Sequence, residues 1–193
     1  MIIWGGRSEF FSLVRFSTGS RYDPVGDTWV ATSLESAPDA RSSHLAVWTG
    51  DRMVVWSGDT GLMEVSSGGL YSPASDSWMA TSTVNVPGGR AGAPVVWTGA
   101  EMIVWGGWRG GPLDTGGRYD PVSDSWAPVN QPTTPGARTH HTTIWTGSEL
   151  LVWGGCHEFV NCPTATGGRY DPATNSWTPT SLVNAPARLF IRA

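Results

Sequence analysis

Short apolar runs ending in tryptophan punctuate the chain. "MIIW" at 1–4 returns as "MVVW" at 53–56, "MIVW" at 102–105 and "LLVW" at 150–153. A Gly pair follows each run, except that Ser57-Gly58 stands after the second. The next fixed point is a Tyr in a small, polar setting, as in "GGRYD", and a Trp follows it by seven residues every time: Tyr22 and Trp29, Tyr71 and Trp78, Tyr119 and Trp126, Tyr170 and Trp177. Three of the Trp runs are preceded by a further apolar stretch ending in Trp48, Trp97 or Trp145, each seven residues after Arg41, Arg90 or Arg138. The period is close to that between Tyr71 and Tyr119, which is 48 residues. Internal repetition on this scale marks a repeat architecture.

Each unit predicts four short strands. Strand a ends in Val-Trp or its equivalent, strand b is the Met-x-Val-Trp run, strand c carries the Tyr and strand d begins at the second Trp. The a–b links "TGDR", "TGAE" and "TGSE" place Gly where a tight hairpin needs positive φ. The c–d links, such as "DPVSD", put Pro at a turn position with its φ preset. Four antiparallel strands per unit of about 48 residues is the pattern of a β-propeller blade.

On these residues the unit resembles the kelch repeat, as found in bacterial kelch proteins and in the propeller of galactose oxidase. The Gly pairs, the Tyr set and the Trp set at Trp4, Trp56, Trp105 and Trp153 carry the resemblance, together with Trp29, Trp78, Trp126 and Trp177. It implies an all-β, kelch-type propeller of about four blades in a single segment, 1–193. Complete blades are expected at 41–79, 90–127 and 138–178, with strands b–d of a first blade at 1–30. A degenerate strand a, "RLFIRA" at 188–193, is the candidate to complete that first blade. Its match to the repeat is poor. The expectation is therefore a piece of a longer propeller, with a closed four-blade ring as the alternative.

Composition narrows the function classes. Charged residues make up 15% of the chain and the formal net charge is −4, so there is no basic footprint for nucleic acid. No apolar run is long enough for a transmembrane helix. Eleven of the 12 Trp occupy repeat positions, where burial between blades is the expected role rather than ligand stacking. The copper-radical chemistry of galactose oxidase needs Tyr residues beyond the repeat, and all four Tyr here sit on repeat positions. That chemistry is rejected, and neither a cofactor nor a metal is expected. His44 and His141 occupy matching positions on strand a, with Ala93 at the third, and are expected to be structural.

Antiparallel order puts the b–c and d–a loops on one face. The b–c loops vary in length and content, which marks the expected working surface. Its candidate residues are Trp108, the one Trp off the repeat, with Arg109 and Asp114 in the same loop, and a weaker pair, His157 and Glu158. Arg41, Arg90 and Arg138 begin strands on that face. They are candidates for the mouth of the channel, against the alternative that they tie the connector loops. Cys156 and Cys162 flank the last variable loop, and Cys-His-x₄-Cys is not a recognised zinc spacing. A local disulfide is expected and reduced thiols are the alternative. With the resemblance, that pair points weakly to an extracytoplasmic or secreted protein. The leading reading is a non-catalytic module that presents its variable loops to a protein or a glycan. The alternative is a carbohydrate-active kelch enzyme, similar to a sugar mutarotase.

Overall fold

A computed structural model describes residues 1–9, 13–130, 135–157, 162 and 164–185. Its fifteen strands form four antiparallel sheets. The first sheet has three strands: β1 (Ile2–Trp4), β2 (Gly19–Asp23) and β3 (Thr28–Ala31). The second runs β4 (Leu45–Trp48), β5 (Met53–Trp56), β6 (Gly68–Ser72) and β7 (Ser77–Ala80). The third runs β8 (Val95–Trp97), β9 (Met102–Trp105), β10 (Gly116–Asp120) and β11 (Ser125–Pro128). The fourth runs β12 (Thr142–Trp145), β13 (Leu150–Trp153), β14 (Gly167–Asp171) and β15 (Ser176–Pro179). Each sheet is a meander in chain order, and the described residues contain no helix. The arrangement is propeller-like, with β4 beside β8 and β8 beside β12. Residues 188–193, expected to supply a strand for the first sheet, lie outside the described residues.

The strands are short and flat-sided because their side chains must serve two interfaces. Along β5 and β9 every residue is buried, as expected for a strand covered on both faces. The core is accordingly not one mass but three clusters between successive sheets. One gathers Trp4, Met53, Val55, Tyr71 and Trp78. The next is centred on Val54, Trp56, Met102, Tyr119 and Trp126. The last holds Ile103, Trp105, Leu150, Val152 and Tyr170.

The repeated aromatics make the joints. The strand-b Trp of one sheet packs on the strand-d Trp of the next, with ring centroids 5.3 Å apart for Trp4 and Trp78, 4.9 Å for Trp56 and Trp126, and 5.2 Å for Trp105 and Trp177. Within a sheet, that strand-d Trp also leans on the Tyr of strand c. Trp153, the strand-b Trp of the fourth sheet, is half-buried. Trp29, at the free face of the first sheet, is 50% exposed.

A polar lock runs beside the aromatic one. The Tyr hydroxyls donate to the residue closing the c–d turn: Tyr22 to Asp27 (2.8 Å), Tyr71 to Asp76 (2.6 Å), Tyr119 to Asp124 (2.7 Å) and Tyr170 to Asn175 (2.7 Å). That turn residue has positive φ in all four cases, from 48° to 51°, a region Asp and Asn tolerate. The same oxygen then accepts from the preceding connector: Ser33 N–H into Asp76, Ser82 N–H into Asp124 and Asn130 N–H into Asn175. The strand-d indoles Trp78, Trp126 and Trp177 donate back to the carbonyls of Ser33, Ser82 and Asn130. One turn thus ties its own strand c to the neighbouring sheet. Burial, then the bond to Asp76, pushes the Tyr71 hydroxyl up to about 12, so the phenol is a donor and not a base at neutral pH.

Candidate functional site

The described parts of the b–c loops lie on one face, and those of the first three sheets lean on the next sheet through backbone bonds. Gly6 N–H donates to Arg41 O (2.8 Å), Gly58 N–H to Arg90 O (3.3 Å) and Gly107 N–H to Arg138 O (2.9 Å). An ion pair of 2.6 Å between Arg15 and Asp59 joins the first two loops. The loop surface is therefore held by the same sheet-to-sheet contacts as the core.

Arg41, Arg90 and Arg138 do not stand open at a channel mouth, which corrects the expectation that they could meet a ligand there. They are 1%, 0% and 3% exposed. Arg90 Nη1 donates to the carbonyls of Gly106 (3.0 Å) and Thr115 (2.6 Å), and its Nε to Gly88 O (3.1 Å). Arg41 and Arg138 repeat that set on Ser57 and Ser67, and on Gly154 and Thr166. The physical reason is that strand b ends and strand c begins on this face, and the carbonyls just after b and just before c need donors. A guanidinium supplies several in one plane. Burial pulls Arg90 down to about 10, helped by Arg109, and burial alone does so for Arg138. Both stay charged at neutral pH.

The two matching histidines are buried or half-buried as well. Each stands edge-on against the strand-b Trp of the preceding sheet: His44 on Trp4 with centroids 5.4 Å apart, His141 on Trp105 at 5.5 Å. Each also lies over the first Gly of that sheet's pair. A Cβ on Gly106, which has φ +71°, would sit 2.6 Å from His141 Cε1, and a Cβ on Gly5 would sit 2.9 Å from His44 Cε1. At the remaining joint the ring is missing, because Ala93 replaces His. There Ser57 replaces the Gly, and its hydroxyl fills the space. Ser57 Oγ accepts from Arg90 N–H (2.7 Å) and donates to Arg90 O (2.9 Å). The two departures from the repeat are one compensated exchange.

Burial, with the nearby Arg138 charge, holds His141 down to about 3, and burial beside Arg41 lowers His44 in the same direction. His141 is thus a neutral packing group. An unfolded His takes up its proton near 6.5, while folded His141 does so only near 3. Between those values the unfolded state binds more protons, so stability falls as pH drops through the window. Urea midpoints measured at pH 7 and pH 4 are expected to show that loss, and H141A is expected to flatten the slope.

The off-repeat candidates lie above this layer. Trp108 is half-buried in the β9–β10 loop, its backbone bonded in both directions to Ala91 (2.8 and 3.0 Å). Arg109 is exposed and reaches over the Gly88 connector, where a Cβ would meet its Nη1 at 2.5 Å. Asp114 is exposed near the far end of the same loop. On the fourth sheet, exposed His157 sits beside Gly136, whose Cβ would lie 3.4 Å from the ring. Cys156 and Cys162 are joined as a disulfide with Cα atoms 4.7 Å apart, closing the loop that carries His157. Glu158 lies outside the described residues. The loop of Trp108, Arg109 and Asp114 and the loop of His157 are thus on adjacent sheets of one face. Among the described residues no group of three His, Cys, Asp or Glu side chains is placed to hold a metal ion.

A cavity of about 600 Å³ lies elsewhere, on the opposite side of the first two sheets. Met1, Ile2, Tyr22, Val47, Trp48 and Met53 contribute to its wall. Sequence reasoning placed every candidate on the loop face and passed this cavity by.

No family model matches the chain. No curated protein matches it either. Among solved structures the chain is similar to one described as "Structure of YjhT", at 14% sequence identity and a TM-score of 0.66. The likeness covers 89% of this chain and 61% of that one, so the chain spans about three-fifths of the matched structure's length. At this identity the likeness speaks for the fold alone. The chain is an all-β protein of propeller-like architecture. No helix among its described residues is long and apolar enough to cross a membrane.

Proposed function

We propose that the chain is a kelch-type propeller segment acting as a non-catalytic binding module, with the b–c and d–a loop face as its ligand surface. One observation carries this reading. The aromatic and imidazole side chains on repeat positions are largely spent on joints between sheets and the repeat Arg side chains on carbonyls of their own sheet, whereas half-buried Trp108 and exposed Arg109 are consecutive in a loop outside the repeat. A Trp and an Arg in one loop are residue types that suit the apolar face of a sugar ring or an aromatic anchor of a protein partner. The buried, neutral imidazole of His141 offers no accessible general base, so the sugar mutarotase-like alternative would have to draw its acid/base pair from exposed groups such as His157 and Asp114.

The test is a glycan array followed by titration of any hit against wild type, W108A and R109A. A hit weakened at least about tenfold by either variant supports the reading, since anchors of this kind contribute on the order of 1–2 kcal/mol or more. The thermal midpoint of both variants is expected to stay close to wild type, because neither side chain belongs to an inter-sheet cluster. Binding unaffected by both variants would move the ligand off this loop. Catalysed anomer exchange of a bound sugar would replace the binding module with the enzyme.

A further inference from the structure

The turn face, opposite the variable loops, breaks the repeat at one corner of the second sheet. In the third sheet the a–b turn ends in Glu101, which pairs with Arg118 of strand c at 3.6 Å. In the fourth, Glu149 pairs with Arg169 at the same distance of 3.6 Å. The second sheet has Arg52 where these sheets have Glu, and Leu70 where they have Arg. Strand c closes with Asp120 and Asp171 in the third and fourth sheets and with Ser72 in the second. At both carboxylate positions of the repeat, the second sheet therefore has none. Among the described residues Arg52 makes one ion pair, with the adjacent Asp51 at 3.6 Å, and the two side chains are 43% and 77% exposed.

Leu70 also changes the joint to the third sheet. Arg21 reaches from the first sheet to Pro73 O of the second (2.7 Å), and Arg118 from the third to Pro172 O of the fourth (2.7 Å). Leu70 joins the core with Val54 and Met102 and has nothing to donate to Pro121. A cavity of about 320 Å³ lies at this joint, between the turn of Thr49, Asp51 and Arg52 and the third sheet's Trp97, Pro121 and Val122. A smaller one of about 210 Å³ has Arg52 in its wall too, with Leu70, Ser72 and Met79. The Arg52 charge also acts across the joint. Burial pushes the strand-c Tyr hydroxyls up, and one guanidinium pulls against that at each: Arg21 at Tyr71, Arg118 at Tyr170 and, here, Arg52 at Tyr119.

We propose that this joint is a binding site for a small organic monocarboxylate with an apolar or aromatic body. The ligand's carboxylate takes towards Arg52 the part that Glu101 takes towards Arg118, a role the planar guanidinium fork suits. The body lies against Trp97, Pro121 and Val122, the last of which is 93% exposed. The volume is at the small end of ligand pockets, which run from roughly 300 to 1,000 Å³, so the occupant is a small molecule and not a chain segment. Asp51 beside Arg52 repels a second negative charge, which selects a monoanion over a dianion.

The test titrates the full chain with 3-phenylpropionate at low ionic strength, followed by calorimetry, for wild type, R52Q and D51N. The expected result is one-to-one binding with Kd of about 0.1–1 mM. R52Q is expected to weaken it at least about tenfold, and so is exchange of the acid for neutral 3-phenylpropan-1-ol. D51N keeps an acceptor for the Thr49 hydroxyl, which donates to Asp51 Oδ1 at 2.7 Å, and removes the opposing charge. It is expected to tighten binding about threefold, which mere disturbance of the turn would not do. Inorganic phosphate is expected to bind at least about tenfold more weakly than the acid. Without ligand, the thermal midpoint of R52Q is expected to stay close to wild type, since Arg52 belongs to no core cluster. Binding unchanged in R52Q, weakened in D51N, or equal for acid and alcohol would overturn the carboxylate site. Phosphate binding as tightly as the acid would overturn the part given to the apolar wall, and absence of binding up to about 10 mM acid would overturn the site altogether.

Discussion

Replacing Trp105 by Ala is expected to cost roughly 3–5 kcal/mol, a large share of the stability of a domain this size. Trp105 is buried between the third and fourth sheets, with Trp177 at 5.2 Å and His141 at 5.5 Å between centroids. Its removal leaves a void bounded by two rigid rings and by strand backbone, which have little room to close in. Trp29 is the internal control. It holds the strand-d position on the first sheet and leans on Tyr22, yet half of it faces solvent. Trp29→Ala is expected to cost about 1 kcal/mol or less. Urea denaturation of both variants checks the pair. Similar losses would mean that the strand-b Trp is not the joint between sheets.

Much of the architecture was legible because it is local. Hairpin Gly, turn Pro and alternate apolar residues are read within a few positions, and they set the strands β4–β15 where the repeat put them. The strand-b Trp and strand-c Tyr were recognisable as core for the same reason. What the sequence concealed was which distant backbone groups each side chain meets. The carbonyls that hold Arg90 belong to Gly106 and Thr115, which are 16 and 25 positions away. Nothing in the local pattern distinguishes a donor at a strand end from one at a channel mouth. The loop candidates were visible only as exceptions to the repeat, and their positions depended on how each loop leans on the connector beside it. The cavity walled by Met1, Ile2 and Trp48 was invisible as a residue motif, since its wall draws on separate strands.

The exchange of Ser57 and Ala93 against Gly106 and His141 was also on the page as two separate irregularities. The structure makes them one. Gly106→Ser introduces a Cβ into a site where His141 Cε1 would lie 2.6 Å away, so the single substitution is expected to cost roughly 1–3 kcal/mol by overpacking. His141→Ala alone opens a cavity beside Trp105 and is expected to cost about 2 kcal/mol or more. Together they recreate the Ser57–Ala93 joint, in which the hydroxyl bonds the backbone of the following Arg. The double variant is expected to be more stable than either loss summed would allow, because the Ser hydroxyl gains Arg138 as partner and fills part of the void.

Neighbouring sheets are locked by residues that act in pairs across each joint. The coupling energy between Gly106→Ser and His141→Ala, from urea denaturation of the wild type, both single variants and the double variant, tests this most directly. The expected value is roughly 1–3 kcal/mol in favour of the double variant. Additivity within about 0.5 kcal/mol would contradict it, and would mean that Ser57 and Ala93 vary independently.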